Sequence, residues 1–142
     1  MNPANAVTRL VPFAHVAEIE RSLEFYSHLG FQVHSSHTGN DGRRVWATIE
    51  SHDARLMLAL SNGEIAADQQ GVLFYMYCDA VERLREYLVA VGVQDGGRYT
   101  GQSGKNSGCH HVFDVAHPFY MPAGELRVHD PDGYVLLIGQ LA

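Results

Sequence analysis

The chain has 142 residues, which is enough for one domain with a sizeable hydrophobic interior. Its 10 Lys and Arg residues against 16 Asp and Glu residues give a net charge of −6 without a basic cluster, which argues against nucleic acid as a partner. The two cysteines have neither a metal-site nor a disulfide-framework spacing, and no leader or membrane-spanning run is evident, so we expect a cytoplasmic protein without a membrane partner.

The first half of the chain contains one helix between strand-like segments. Residues 10–16 form an apolar, strand-like run, and residues 19–29 follow with a stripe at helical spacing that consists of Ile19, Leu23, Tyr26 and Leu29. Gly30 then predicts the end of the helix, because glycine is the usual residue just past a helix C-terminus. A further strand at 31–34 and a hairpin, RVWATIE and RLMLAL around the turn SHDA, complete this half.

The second half repeats this order. A shift of 62 residues matches Glu20 to Glu82 and Gly30 to Gly92, and predicts a strand at 72–78 and a helix at 81–91. The last hairpin, GELRVH and YVLLIG around the turn DPDG, matches the first one at a shift of 79 instead, with Leu58 on Leu137. The 17 additional residues lie between Gly92 and Leu126, and they are expected to include an exposed, mobile loop that is rich in Gly and Ser, at about 96–108.

These elements predict an α+β fold of two tandem βαβββ modules. The first module is expected at 1–66 and the second at 67–142, within a single compact domain. A twisted sheet with its helix on one face leaves the other face free, so the two modules together predict a concave mixed sheet that encloses a ligand cleft.

Three segments carry a resemblance to a known family. VAEIERSLEFYSHLGF, YCDAVERLREYLVAVGV and the terminal DPDGYVLLIGQ are similar to the vicinal oxygen chelate superfamily, which includes glyoxalase, extradiol dioxygenases, fosfomycin-modifying enzymes and bleomycin resistance proteins. The resemblance covers nearly the whole chain and implies the fold described above. It is closest to the metal-free, bleomycin-resistance-like members.

In the metal-dependent members, the resemblance implies His, Gln or Glu ligands on the first and last strands of each module. The matching positions in this chain are all aliphatic: Val11, Leu58, Leu73 and Leu137. An aliphatic side chain has no lone pair to offer a divalent cation, so we expect no metal and no cofactor at this place.

The cleft is predicted from the alternation of side chains along strands. Residues two apart share a face, and the sixth strand HHVFDV would place His111 and Phe113 together. The sequence leaves open on which face Trp46 lies, and whether each aromatic residue belongs to the cleft or to the ordinary core. The residues predicted to bind the ligand are Phe13, His15, Trp46, Leu58, Tyr75, Tyr77, His111, Phe113 and Leu137.

The first hypothesis is a metal-independent binder of an apolar or aromatic small molecule, of the drug-sequestration type, with a homodimer implied by the resemblance. The alternative, motivated by nine histidines, is a metal-dependent lyase, isomerase or dioxygenase with displaced ligands such as His15 and His111. A third hypothesis is a metal-free enzyme that uses His15 or a tyrosine as general acid or base. The sequence assigns no catalytic residue.

Overall fold

The computed structural model describes residues 6–101 and 109–142. The first half contains β1 Phe13–Val16, α1 Ile19–Ser27, β2 Gln32–Thr38, β3 Arg44–Ser51 and β4 Ala54–Leu60. A short 3₁₀ turn, Ala67–Gln69, precedes the second half. That half contains β5 Leu73–Cys78, α2 Val81–Ala90, β6 Gln94–Gly97, β7 His111–Phe113, β8 Glu125–His129 and β9 Val135–Gln140.

The strands form two mixed sheets, and the predicted α+β fold is confirmed. The four-stranded sheet has the order β1-β4-β3-β2, and the five-stranded sheet has the order β5-β9-β8-β7-β6. The first strand of each half pairs in parallel with the last strand of that half, β1 with β4 and β5 with β9. The predicted module boundary at 66/67 falls between the two sheets and stays a prediction.

The second half has one strand more than the predicted repeat. β7 pairs antiparallel with β8, in the place that β2 takes beside β3, and β6 is moved outward to pair in parallel with β7. The loop predicted at 96–108 overlaps β6 at its first two residues. Residues 102–108, and with them the predicted mobility of the loop, lie outside the described residues.

Both predicted helices are present and end in the same way. Gly30 and Gly92 follow α1 and α2 with φ angles of 93° and 104°, in the left-handed region where glycine meets no Cβ penalty. The next residue closes each end, because Phe31 N donates to the Tyr26 carbonyl and Val93 N donates to the Leu88 carbonyl. Within the described ranges, neither helix is long and apolar enough to cross a membrane.

The hydrophobic core lies between the helices and one face of each sheet. In the four-stranded sheet, the core residues are Ala14, Val16, Ile49, Leu56 and Leu58; in the five-stranded sheet, they are Val112, Leu126, Val128, Leu136 and Ile138. Side chains from both helices join the same cluster. The opposite face of each sheet points away from the helices, and we call it the open face of that sheet.

The DPDG turn joins the two halves. Ala17 N, at the start of the first helix, donates to Asp132 Oδ1 at 3.0 Å, and the Tyr26 hydroxyl donates to Asp130 Oδ2 at 2.6 Å. The Tyr134 hydroxyl donates to the His15 carbonyl at 3.0 Å. The turn of the terminal hairpin therefore binds the first half of the chain, while the two strands of the hairpin, β8 and β9, belong to the five-stranded sheet.

Candidate functional site

On the four-stranded sheet, the open face carries three of the predicted site residues. Phe13 pairs with Met57 and His15 pairs with Ala59, and Trp46 also lies opposite Ala59. The Phe13 and His15 rings meet edge to face at 5.4 Å between centroids. Pairing thus resolves the face of Trp46, which shares the open face with Phe13 and His15.

Leu58 was expected on this face, and the expectation is wrong. Leu58 pairs with Ala14 and Ala47, and it is fully buried in the core on the helix side. The reason is turn length: the first hairpin turns through two residues between Ser51 and Ala54, whereas the second turns through five between His129 and Val135. The shift of 79 residues, which aligns the turns of the two hairpins, therefore places the strand after the first turn one residue out of register. Met57 takes the position that was expected for Leu58.

On the five-stranded sheet, the open face brings the other predicted residues together. Leu137 on β9 lies opposite Tyr75 on β5, and on its other side opposite Arg127 on β8. Tyr77 follows Tyr75 on the same face, with 5.3 Å between the two ring centroids. His111 and Phe113 share this face, as expected, with their rings stacked at 6.3 Å. Phe113 is almost fully buried, so its side chain packs within this face and leaves little surface for a ligand.

A buried carboxylate lies at one end of this face. Glu125 is 9% exposed, and its two carboxylate oxygens accept hydrogen bonds from the Tyr75 hydroxyl at 2.7 Å and the Tyr120 hydroxyl at 3.1 Å. Burial and the bond to Glu125 raise the pKa of Tyr75 well above its ordinary value, and the bond to Glu125 raises that of Tyr120. Tyr75 is thus held as a hydrogen-bond donor, which disfavours it as a general base.

Gly139 makes the bond between Tyr75 and Glu125 possible. It lies between Tyr77 on one side and Glu125 on the other, and a Cβ at this position would come within 2.9 Å of both the Tyr75 hydroxyl and the Met121 Cε. The missing side chain leaves the space over β9 through which Tyr75 reaches Glu125.

A cationic and aromatic cluster occupies the other end of the face. The Arg127 guanidinium lies 3.8 Å above the centre of the Tyr99 ring, and its Nε donates to His129 Nε2 at 3.0 Å. The Tyr99 ring also contacts Phe113 edge to face at 5.2 Å, and Phe113 contacts His129 at 4.9 Å. The Tyr99 ring and the bond to His129 together orient the guanidinium.

A cavity of about 480 Å³ extends around the outer edge of β5. Tyr75 and Tyr77 lie on one side of it, and the turn of the first hairpin, including His52 and Asp53, lies across from them. Its inner wall is apolar, and burial raises the pKa of the Cys78 thiol there, which keeps this sulfur uncharged. The aromatic edge of the open face thus continues into a space of small-molecule size.

The described residues offer no ready ligand set for a divalent cation. Within the described part of the chain, no three side chains of His, Cys, Asp or Glu come together in a way that could hold a metal ion. His15 and His111, the displaced ligands of the alternative hypothesis, lie on different sheets. His110 points to the core side of β7, 5.5 Å from the Phe25 ring, where burial lowers the pKa of its imidazole.

The predicted list of ligand-binding residues lacks four residues of the site: Tyr99, Tyr120, Glu125 and Arg127. Tyr120 was considered only as part of the cluster Phe119, Tyr120 and Met121, either as a lid over the pocket or as packing under the long loop. A signal for two of the four was present, because alternation along ELRVH places Glu125 and Arg127 on one face, opposite Leu126 and Val128. Tyr99 and Tyr120 lie outside the strands, where no periodicity indicates the direction of a side chain.

Solved structures with this fold include proteins of antibiotic resistance. A bleomycin-binding protein in complex with bleomycin is 18% identical, with a TM-score of 0.70 over 94% of this chain and 98% of that chain. A bleomycin resistance determinant encoded on the transposon Tn5 is 19% identical, with a TM-score of 0.68 over 93% and 96%. The fosfomycin resistance protein FosX from Mesorhizobium loti is 13% identical, with a TM-score of 0.60 over 94% and 91%.

At these identities the likeness shows a common fold. No curated protein matches the sequence. The family model of the glyoxalase/bleomycin resistance protein/dioxygenase superfamily, however, matches residues 10–138, nearly the whole chain. The chain therefore belongs to the glyoxalase/bleomycin resistance protein/dioxygenase superfamily.

Proposed function

We propose that this protein binds an organic small molecule with an aromatic or apolar surface, without a resident metal, in the manner of a drug-sequestering protein. The observation that carries the proposal is the pair Tyr75 and Tyr77, which are 40% and 61% exposed beside the half-buried Leu137. Large aromatic side chains on an open sheet face offer stacking surface that the core does not use.

The chemistry of the face supports binding over catalysis. Its tyrosine hydroxyl at position 75 is engaged with Glu125. Of the four positions that resemble the metal-ligand positions of related enzymes, Val11, Leu73 and Leu137 are aliphatic, and Met57 takes the fourth. A structural neighbour is described as a complex with bleomycin, so the fold is known to hold an organic molecule. The proposal extends small-molecule binding to this chain, with a ligand of its own.

The proposed binding unit is a homodimer. The predicted ligand residues are divided between two sheets, and both open faces expose large apolar side chains, with Phe13 and Leu73 each 51% exposed. We propose that the four-stranded sheet of one protomer faces the five-stranded sheet of its partner, which makes two clefts per dimer. Light scattering of the purified protein should give the molar mass of two chains; a monomer at ligand-binding concentrations would contradict this assembly.

Fluorescence of Trp46, the single tryptophan, tests ligand binding. Titration with a panel of planar aromatic compounds should quench this fluorescence for at least one of them, because Trp46 shares the open face with Phe13 and His15. Tyr77→Ala should weaken binding of that compound by about tenfold, which is the value of one lost ring contact of about 1.4 kcal/mol.

Tyr87→Ala is the matched control, since Tyr87 is 50% exposed but lies on α2, away from the open faces. The affinity of Tyr87→Ala for that compound should equal the affinity of the unmodified chain. The proposal fails if no compound of the panel binds, or if Tyr77→Ala and Tyr87→Ala bind the compound equally well.

A further inference from the structure

Arg127 differs from the other half-buried arginines of the protein. Five arginine side chains in the described ranges are neither exposed nor fully buried: Arg21, Arg44, Arg55, Arg85 and Arg127. The first four each pair with a carboxylate. None of the ion pairs formed within the described residues contains Arg127, although removing a guanidinium from water without a counter-charge is unfavourable.

The surroundings of Arg127 fix its position without neutralising it. The Tyr99 ring lies under the guanidinium plane, and the bond from Nε to His129 uses one of its five N–H donors. The nearest acid on its own face, Glu125, is already bound by the hydroxyls of Tyr75 and Tyr120. Among the residues that the structure describes, none accepts a hydrogen bond from the terminal nitrogens of Arg127, so these nitrogens offer donors in a planar fork, the geometry that matches an oxyanion.

Arg127 also lies in line with the proposed ligand surface. Arg127, Leu137 and Tyr75 are direct neighbours across three adjacent strands, β8, β9 and β5. Adjacent strands are about 4.8 Å apart, so the backbone of Arg127 is about 10 Å from that of Tyr75. An aromatic ring over Leu137 and Tyr75 would therefore bring a substituent on its edge to the guanidinium.

We propose that Arg127 is an anion subsite, and that the ligand of this protein is an aromatic molecule that carries an oxyanion group such as a carboxylate. This inference rests on the proposed function, because it assigns the chemical class of the ligand at the same face. It is not a consequence of overall charge, since a chain with a net charge of −6 repels anions except where a local cation attracts them.

The test compares two probes of the same shape, 1-naphthoate and its neutral amide 1-naphthamide, by isothermal titration calorimetry. The unmodified protein should bind the carboxylate more tightly. Arg127→Gln should lower the affinity for 1-naphthoate by about tenfold or more and change the affinity for 1-naphthamide by less than about twofold, because only the carboxylate gains a charge-assisted hydrogen bond. Arg127→Lys keeps the charge without the planar fork and should give an intermediate loss.

Arg83→Gln is the matched control, since it removes the same charge from an exposed position on α2. It should leave the affinities for both probes unchanged, and thermal unfolding of each variant reports whether it is folded. A second measurement uses the unmodified protein: 1-naphthoate should protect Arg127 from phenylglyoxal, as read by peptide mass, and 1-naphthamide should protect it less.

The outcomes separate the two proposals. Equal binding of both probes, unaffected by Arg127→Gln and without selective protection from phenylglyoxal, would overturn the anion subsite and leave aromatic binding in place. If neither probe binds to the unmodified protein, the anion subsite is overturned, and the proposed function then stands or falls with the panel of planar aromatic compounds. A loss of 1-naphthoate affinity of the same size in Arg83→Gln would show a general charge effect, and this too would overturn the subsite.

Discussion

Glu125 is nearly removed from solvent, and its carboxylate is stabilised by hydrogen bonds from two tyrosine hydroxyls. Burial of a carboxylate without hydrogen bonds is costly, and Tyr75 provides the shorter of the two bonds, 2.7 Å against 3.1 Å from Tyr120. Tyr75→Phe removes the shorter bond and keeps the ring. We expect the free energy of unfolding, measured with urea, to fall by about 1–2 kcal/mol.

Tyr77→Phe is the control for this change, because Tyr77 is the next tyrosine on the same face and is 61% exposed. Loss of its hydroxyl should change the free energy of unfolding by less than about 0.5 kcal/mol. If Tyr75→Phe unfolds at the same urea concentration as Tyr77→Phe, the hydroxyl at 75 does not stabilise the carboxylate, and the account of this end of the face is wrong.

At the scale of elements, the terminal turn depends on Gly133. Its φ is 84°, and a Cβ on it would overlap the carbonyl oxygen of Ala67 in the 3₁₀ turn. Gly42 has nearly the same φ, 82°, with nothing within 4 Å of its Cβ position. Gly42→Ala should therefore lower the free energy of unfolding by about 1–2 kcal/mol, because of the backbone conformation alone. Gly133→Ala should lower it by about 3 kcal/mol or more, because the carbonyl oxygen of Ala67 belongs to the backbone and cannot move aside at low cost. Equal melting temperatures for the two variants would contradict the clash.

Hairpin length also decides which parts of the site were predictable. The two helices were predictable because local signals, the apolar stripe and the glycine at 30 and at 92, mark each of them. Face assignment succeeded on β5 and β9, where Tyr75 and Leu137 lie on the same face as expected. It failed at Leu58, because a change of turn length inverts the two faces of a strand and the sequence does not state where a turn begins.

At the scale of the molecule, the two halves share one core, and few local signals along the chain indicate the contacts that join them. The repeat predicted two similar units, but the bonds from Ala17 and Tyr26 to the acids of the DPDG turn span more than 100 residues. Such pairs follow no local periodicity. A weak strand near Val93 was expected, but the place of β6 at the sheet edge, beyond β7, was unpredictable for the same reason, since its pairing depends on the path of the inserted segment.

Asp130 and Asp132 of the DPDG turn make the contact between the two halves sensitive to pH. Asp130 is fully buried, and desolvation raises its pKa from 3.8 to about 6, although hydrogen bonds from Tyr26, Asp132 and Tyr134 favour its charged form. Burial raises the pKa of Asp132 as well. The folded state holds the proton on Asp130 more tightly than the unfolded state does. The contribution of protonated Asp130 to the free energy of unfolding is therefore fully present below about pH 4 and is lost as the pH rises through about 6.

Asp130→Asn tests this dependence. The amide cannot titrate, and its oxygen can still accept the backbone bonds from Asp132 and Tyr134. Between pH 4 and pH 7, the free energy of unfolding of the unmodified protein should fall relative to that of Asp130→Asn by roughly 3 kcal/mol, which corresponds to a pKa difference of about two units. Asp53→Asn, at an exposed position in the first hairpin turn, should follow the unmodified protein over the same range. Parallel pH profiles for Asp130→Asn and the unmodified protein would mean that Asp130 is ionised in the folded state without penalty, and that the turn joins the two halves through its hydrogen bonds alone.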